Sequence, residues 1–435
     1  RVNLNYDDSY FLSASLRREG SSKFGANNKW GYFPAVSAGF DVNRLVQIPQ
    51  VNNLKLRASY GVTGAEPVDP YLSLSTVTPS GVFLVNGEFV PAYGPGRNSN
   101  PDLKWETKRE VNIGLDFAAF DSRLYGSVDY FRRKTTDLLF YAPVPQPPNF
   151  AGNTWINVGD LRSNGIEVAV SYNVLRESAL NWTTGINYAS SSVKLVSLSN
   201  DQYTATTQQL ANIGAPGLNG FYGVRLKEGE KLGNITGPVY EGVGPDGKYI
   251  FSDLSKNGVF EQKDEDYAVI GNGLPDFTLG WSNTFTFKGF DLNFFFRGVF
   301  GHDLLNSMRT FYEYPETARR FNVVNTKYYN PDLSVDQTGA YSSLDIEKAS
   351  FVKLDNATLG YNFRLPKREK GFRSIKVYLS GQNLLTITDY TGIDPEPRFT
   401  DTDQTGFGSI VSPGFERRDS WVRTRTVTFG INLGL

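Results

Sequence analysis

The chain has 435 residues, with 44 Lys and Arg against 45 Asp and Glu for a formal charge of −1, and it contains no Cys. The balanced charge excludes a nucleic-acid binder, which needs a basic surplus, and the lack of Cys excludes disulfides, thiolate catalysis and cysteine metal centres. Mean hydropathy is −0.35 and no run approaches about 18 apolar residues, which excludes a membrane-crossing helix but not a β-barrel, whose wall alternates apolar and polar positions.

In chain order, one strand pattern follows another. Arg1 to Tyr6 is already in two-residue alternation, with no basic stretch leading into an apolar core, as in a chain that starts inside its architecture. Tyr10, Leu12, Ala14 and Leu16 share a face, then Tyr32, Val36, Ala38, Phe40 and Val42, then Leu54, Leu56, Ala58, Tyr60 and Val62. Val111 to Phe117, Arg123 to about Phe140, Ile166 to Tyr172 and Trp182 to Tyr188 continue the series. The strongest signal is Pro275 to His302. Phe277, Leu279, Trp281, Phe285 and Phe287 alternate with Thr278, Gly280, Ser282, Thr284 and Thr286, interrupted only by Asn283 on the apolar side. After Lys288-Gly289 the alternation restarts with Phe290, Leu292, Phe294 and Phe296. Two such runs joined by about two residues predict a hairpin, and each is long enough for a tilted strand to cross the hydrocarbon layer. Phe295 and Val299, on its polar side, need a partner inside. Runs from Phe351 to Phe363, from Ile375 to about Leu385, and from Val427 to Leu435 complete a count of about 13 strands. Apolar parity slips between Leu354 and Ala357, which predicts a β-bulge near Asn356.

The connections alternate in length. Asp7-Asp8, Asp121-Ser122, Arg176 to Ala179, Lys288-Gly289 and Lys367 to Gly371 are short, and Asn43 to Asn53 is intermediate. Between them lie long connections, the largest spanning 65–104, 199–274 and 303–350. Tight turns at one end and long loops at the other are the plan of an antiparallel transmembrane barrel. The expected fold is all-β, one barrel-wall domain over 1–435.

GNGLPDFTLGWSNTFTFKGFDLNFFFRGVFGHD resembles a signature of the SusC/RagA-like TonB-dependent outer-membrane transporters of Bacteroidetes. WGYFPAVSAGF, LKLRASYGVTG, NPDLKWET, SNGIEVAVSYNV, VKLDNATLGYNF and VYLSGQNLLTITDYTGIDPE resemble that family in the same order. The resemblance implies a barrel of about 22 strands around a plug, of which these 13 would be the C-terminal part. It also implies import of oligosaccharides or peptides with a SusD-like surface lipoprotein and energy from TonB–ExbB–ExbD, in the cell outer membrane. No counterpart of the plug or TonB box occurs in this sequence. Other readings are a passive porin-type channel and a soluble carbohydrate-binding β-protein. Phe285, Phe287, Phe290, Leu292 and Phe294 argue against the soluble form.

No catalytic constellation emerges, and no enzyme is expected. His302 is the only His, and no Ser sits in a G-x-S-x-G elbow. No cofactor is expected, with one possible exception. Asp253, Ser255, Asn257, the carbonyl of Val259 and Asp264 fall at positions one, three, five, seven and twelve of an EF-hand-like loop, with Gly258 at the turn, as a structural calcium would require. The plainer reading is an Asx-rich turn. Loop aromatics Trp155, Tyr203, Tyr312, Tyr314, Tyr328 and Tyr329 are the candidate substrate contacts, and packing of loop on loop is the alternative.

Overall fold

The computed structural model describes residues 1–67, 69–201, 203–215, 217–315, 317, 322, 330–334, 341–363, 365, 372–396, 413–416, 418 and 421–434. Thirteen strands form one sheet in sequence order, each antiparallel to the next. They are β1 Val2–Tyr6, β2 Tyr10–Gly20, β3 Trp30–Asp41, β4 Val51–Ala65, β5 Glu106–Ala119, β6 Leu124–Thr136 and β7 Asp160–Leu175. The sheet continues with β8 Leu180–Ser197, β9 Phe277–Phe287, β10 Phe290–Phe300, β11 Phe351–Phe363, β12 Ser374–Thr388 and β13 Thr426–Gly434. The count agrees with the sequence reading.

Register sorts the side chains into two faces. Leu12, Ala38, Ala58, Ile113, Tyr130 and Ile166 are successive cross-strand partners from β2 to β7. Val170, Ile186, Trp281, Phe296, Leu354 and Leu385 carry an apolar row on from β7 to β12. Most of these large groups are exposed, Ile113 at 55% and Ile186 at 52%. A continuous exposed apolar band is costly in water and is what a lipid-facing wall requires. Asn283 sits on this face yet is buried, because the Trp182 indole donates to its Oδ1 at 2.9 Å and stacks on Phe285 at 5.3 Å.

The tight end is built from mirror-image turns. Asp7 and Asp8 take φ of 52° and 46°, and Lys288 and Gly289 take 47° and 97°. Two consecutive positive-φ residues make the type I′ turn that matches strand twist. The intermediate connection holds a short helix, Val42–Leu45, capped by the Asp41 side chain.

The bulge expected near Asn356 is present. Registers with both β10 and β12 skip Asp355, between Leu354 and Asn356. Phe295 finds its partner in an empty place: its ring lies over Gly280, where a Cβ would meet it at 3.0 Å.

Among the strand ends that differ from the sequence reading, two have a visible cause. The sixth wall strand stops at Thr136, and Leu139–Pro143 pairs instead with Asn153–Asn157 as a separate ribbon. Asp137, at φ 61°, turns the chain out of the wall between them. The twelfth runs three residues beyond Leu385, to Thr388, because Phe351 to Lys353 on β11 continue the pairing.

Buried apolar residues gather above the wall, in the long loops. One cluster contains Leu195, Leu198, Leu226, Leu305, Tyr341 and Phe415, and a second contains Phe24, Phe33, Leu103 and Trp105. The loops therefore fold on cores of their own rather than fray as tethers.

Candidate functional site

The inner face is polar and several of its charges are paired. Arg57 on β4 reaches Asp116 on β5 at 2.7 Å and Asp129 on β6 at 3.1 Å, and Arg133 meets Glu110 at 2.6 Å. Across the sheet, Lys376 on β12 meets Asp291 on β10 at 2.8 Å.

The densest cluster lies where the wall meets the loop after β12. Arg297 donates to Asp355 at 2.6 Å and to both oxygens of Glu396 at 2.7 Å each. The bulge is what allows this, since an extra residue re-aims the Asp355 carboxylate inward. Lys353, only 3% exposed, reaches Asp394 at 3.1 Å and Glu396 at 3.3 Å. Arg423 closes the set on Asp394 at 2.6 Å and Glu396 at 3.2 Å. Three cations face three carboxylates, so the cluster is electroneutral and each charge has partners, the condition for burying it. Burial alone would push the Glu396 carboxyl up, but Arg297, Arg423 and Lys353 outweigh it and hold it below the ordinary carboxylate range.

The same loop is pinned by its backbone. His302 Nε2 lies 2.9 Å from the Pro395 carbonyl oxygen. Glu416, 1% exposed, accepts from the Ile393 and Asp394 amides at 2.7 and 2.9 Å and from the Tyr390 hydroxyl at 2.7 Å. Burial pushes the Glu416 carboxyl up and the His302 imidazole down. His302 therefore serves as a neutral prop for the loop. Sequence reasoning missed this cluster: only Asp394-Pro395-Glu396, within a family-like stretch, hinted at it.

A second buried charge group braces the loop after β10. Arg309 binds Glu313 at 2.9 Å, the Leu344 carbonyl at 2.8 Å and Glu347 at 3.4 Å. Asp345 closes a capping box with Ser342. Burial pushes its carboxyl up to about 7, against the pull of Arg309. An acid that holds its proton more tightly when folded makes the fold less stable as pH rises from the ordinary carboxyl range toward 7. Hydrogen-exchange protection of this loop, corrected for intrinsic rates, is expected to fall over that interval. Asp345→Asn is expected to flatten the dependence.

The predicted calcium ligands are only partly brought together. Asp253 accepts from the Ser255 hydroxyl at 3.0 Å and from the Asn257 and Gly258 amides at 3.3 and 2.7 Å, while Asn257 Oδ1 accepts from the Val259 amide at 2.9 Å. Asp264 does not join them; its Oδ1 accepts from Gln209 at 3.3 Å. Asp266, two residues on, closes the loop by accepting from the Ser255 and Glu261 amides at 2.8 and 2.7 Å. These oxygens point at the loop's own amides, the arrangement of an Asx turn. Among the described residues no group of three His, Cys, Asp or Glu side chains is placed to hold a metal. We therefore expect added calcium to leave the thermal midpoint of the protein unchanged, with Asp253→Ala making the loop easier to cleave with or without the ion.

The candidate aromatics are mostly used in packing. Trp155 is 9% exposed against Tyr141, at 5.3 Å between ring centres, in the cluster around Trp105. Tyr314 is 3% exposed and meets Tyr249 edge-on at 5.9 Å. Tyr203 leans on Phe140 at 5.9 Å and Tyr312 on Phe311 at 4.5 Å, both half-buried. Tyr328 and Tyr329 lie outside the described residues.

An exposed apolar face, a polar inner face and a folded loop layer at one end are the features of a transmembrane β-barrel wall. Residues 1–384 match the family model described as TonB dependent receptor-like, beta-barrel, and the chain belongs to that family. TonB-dependent receptor P3 of Formosa agariphila is 32% identical over 468 residues, covering 100% of this chain and 45% of the relative. TonB-dependent receptor SusC of Bacteroides thetaiotaomicron is 26% identical, covering 91% of this chain and 41% of its own length. The chain thus spans less than half of each relative. The structure of the RagAB peptide transporter shares the fold, with a TM-score of 0.81 at 24% identity over 99% of this chain and 46% of that one.

Proposed function

We propose that this chain forms part of a TonB-dependent importer that takes oligosaccharides or peptides across the outer membrane. A SusD-like surface lipoprotein acts as its partner, and TonB–ExbB–ExbD supplies the energy. The observation that carries this reading is the family match along nearly all of the wall, joined to an inner face that is polar and a loop layer that is folded. The RagAB peptide transporter points to peptides, the resemblance to SusC/RagA-like transporters admits oligosaccharides as well, and the ion-paired wall is compatible with either. The test uses the full-length protein in its own cells. Uptake of a panel of neutral oligosaccharides and peptides is expected to require both the protein and TonB, and a surface lipoprotein is expected to co-purify. Uptake that persists without TonB would instead establish a passive channel.

A further inference from the structure

One arc of the outward, apolar face carries charge. At the loop end of the wall, Arg109 on β5 is the cross-strand partner of Lys134 on β6, Lys134 of Arg162 on β7, and Arg162 of Lys194 on β8. Lys231, in the loop after β8, bridges to Lys194 and extends the row past the end of β9. All five side chains are exposed, and the row lies four residues above Ile113, Tyr130 and Ile166 on the same face. Neighbouring strands stand about 4.8 Å apart, so like charges set directly opposite one another repel. Compensation from the protein is slight. Asp160 reaches Lys134 at 2.8 Å, and Arg109 donates to the Thr136 hydroxyl at 3.3 Å. Among the described residues no carboxylate pairs with Arg109, Arg162, Lys194 or Lys231. The same end of β9 to β12 stays apolar, with Phe277, Phe300, Val352 and Ile387 on this face.

Height fixes what the row meets. Ten residues of β6 and of β7 separate the Leu124–Tyr172 pair at the tight end from the Lys134–Arg162 pair. At about 3.3 Å per residue and a tilt of about 40°, such a stretch rises about 25 Å along the membrane normal, the height of an apolar band. The row therefore stands where hydrocarbon gives way to headgroups. Arg132, two residues deeper on β6, is exposed and reaches that edge by laying its stem along the wall. At the same end of β3, Trp30 and Tyr32 are 57% and 58% exposed, as rings at a membrane interface are.

We propose that this arc binds anionic, phosphate-bearing lipid headgroups of the outer leaflet, each phosphate lying between cations of adjacent strands. Phosphate supplies the negative charge that the row lacks, and a guanidinium offers it two parallel donors. The acyl chains of the same lipid lie on Ile113, Tyr130 and Ile166 below, so one molecule covers both the cations and the apolar band. A soluble phosphate or an acidic protein surface gains from the cations alone. The site depends on the wall facing lipid and is independent of the solute that the barrel carries.

Native mass spectrometry of the full-length protein in neutral detergent tests the site, with dioleoyl phosphatidic acid and dioleoyl phosphatidylcholine as probes. The protein is expected to bind phosphatidic acid about tenfold more tightly than phosphatidylcholine, or better. Arg109→Gln, Arg162→Gln and Lys194→Gln combined are expected to bring the two lipids within about threefold, with the barrel still folded by its heat-dependent gel mobility. Lys248→Gln, Lys256→Gln and Lys263→Gln combined remove the same charge from the loop after β8 and are expected to keep the full preference. Should the first triple variant fail to assemble, Lys194→Gln with Lys231→Gln is read in its place, with a loss of about threefold or more expected and no loss overturning the site. No preference in the unaltered protein, or equal loss in both triple variants, also overturns it. Glycerol 3-phosphate that displaces phosphatidic acid at equal concentration overturns the lipid assignment in favour of a soluble phosphate. A co-purifying protein lost from the arc variant, while its lipid preference persists, assigns the row to that partner instead.

Discussion

Arg297→Ala is expected to lower the stability of the protein in detergent by about 2 kcal/mol and to free the loop after β12 for proteolysis. Removing one member of a well-buried ion pair costs about 3–5 kcal/mol, because the partner charge is left behind without compensation. Here the Arg297 side chain is 26% exposed and Asp355 and Glu396 are 22% and 27% exposed, so water recovers part of that penalty. The loss still exceeds that of a surface pair, because among the described residues Asp355 has no other cation and Glu396 loses its two-pronged partner. Arg297→Lys is expected to restore less than half of the loss, since one ammonium cannot span two carboxylates in the planar geometry that guanidinium offers. Adding Asp355→Ala to Arg297→Ala is expected to cost less than the sum of the single changes. Urea midpoints of the wild type, the three single variants and the double variant check each statement.

Ile186→Arg is expected to cost about 2–4 kcal/mol and to reduce the amount of barrel assembled in the membrane. Ile186 lies near mid-strand on β8, between Val170 and Trp281 in the apolar row, and is 52% exposed on the face assigned to lipid. A guanidinium there has neither water nor a carboxylate within reach. Asn187→Arg, one residue along, turns to the polar face and is expected to change stability by less than about 0.5 kcal/mol. A soluble protein would respond in the opposite sense, tolerating the exposed arginine and rejecting the inward one.

The wall was legible in the sequence because its signal is local. Two-residue alternation in Phe277 to Phe287 and Phe290 to Phe296 identifies both the strands and their faces, and a parity slip between Leu354 and Ala357 betrays the bulge. The Arg297 cluster was not legible, since Arg297 and Glu396 stand 99 residues apart and only the register of β10, β11 and β12 brings them together. The packing of the loop aromatics was not legible for a related reason. In sequence Trp155 and Tyr314 fit either substrate contact or loop packing, and the structure buries both against other aromatic rings of the long loops. Asp264 matched the spacing of a calcium loop, whereas loop closure falls to Asp266, which accepts from the Ser255 and Glu261 amides. Spacing along the chain does not fix which of several neighbouring carboxylates turns inward.

The central claim is that β9 and its neighbours separate lipid from an aqueous interior. Spin labels placed singly from Phe277 to Phe287 in the membrane-embedded full-length protein test it, by collision with oxygen, which partitions into lipid, and with a water-soluble nickel complex. Oxygen accessibility is expected to peak at positions 277, 279, 281, 285 and 287 and the nickel complex at the even positions between them, with 283 muted beneath Trp182. Nickel accessibility on both faces, or a profile without the two-residue period, would contradict a transmembrane wall.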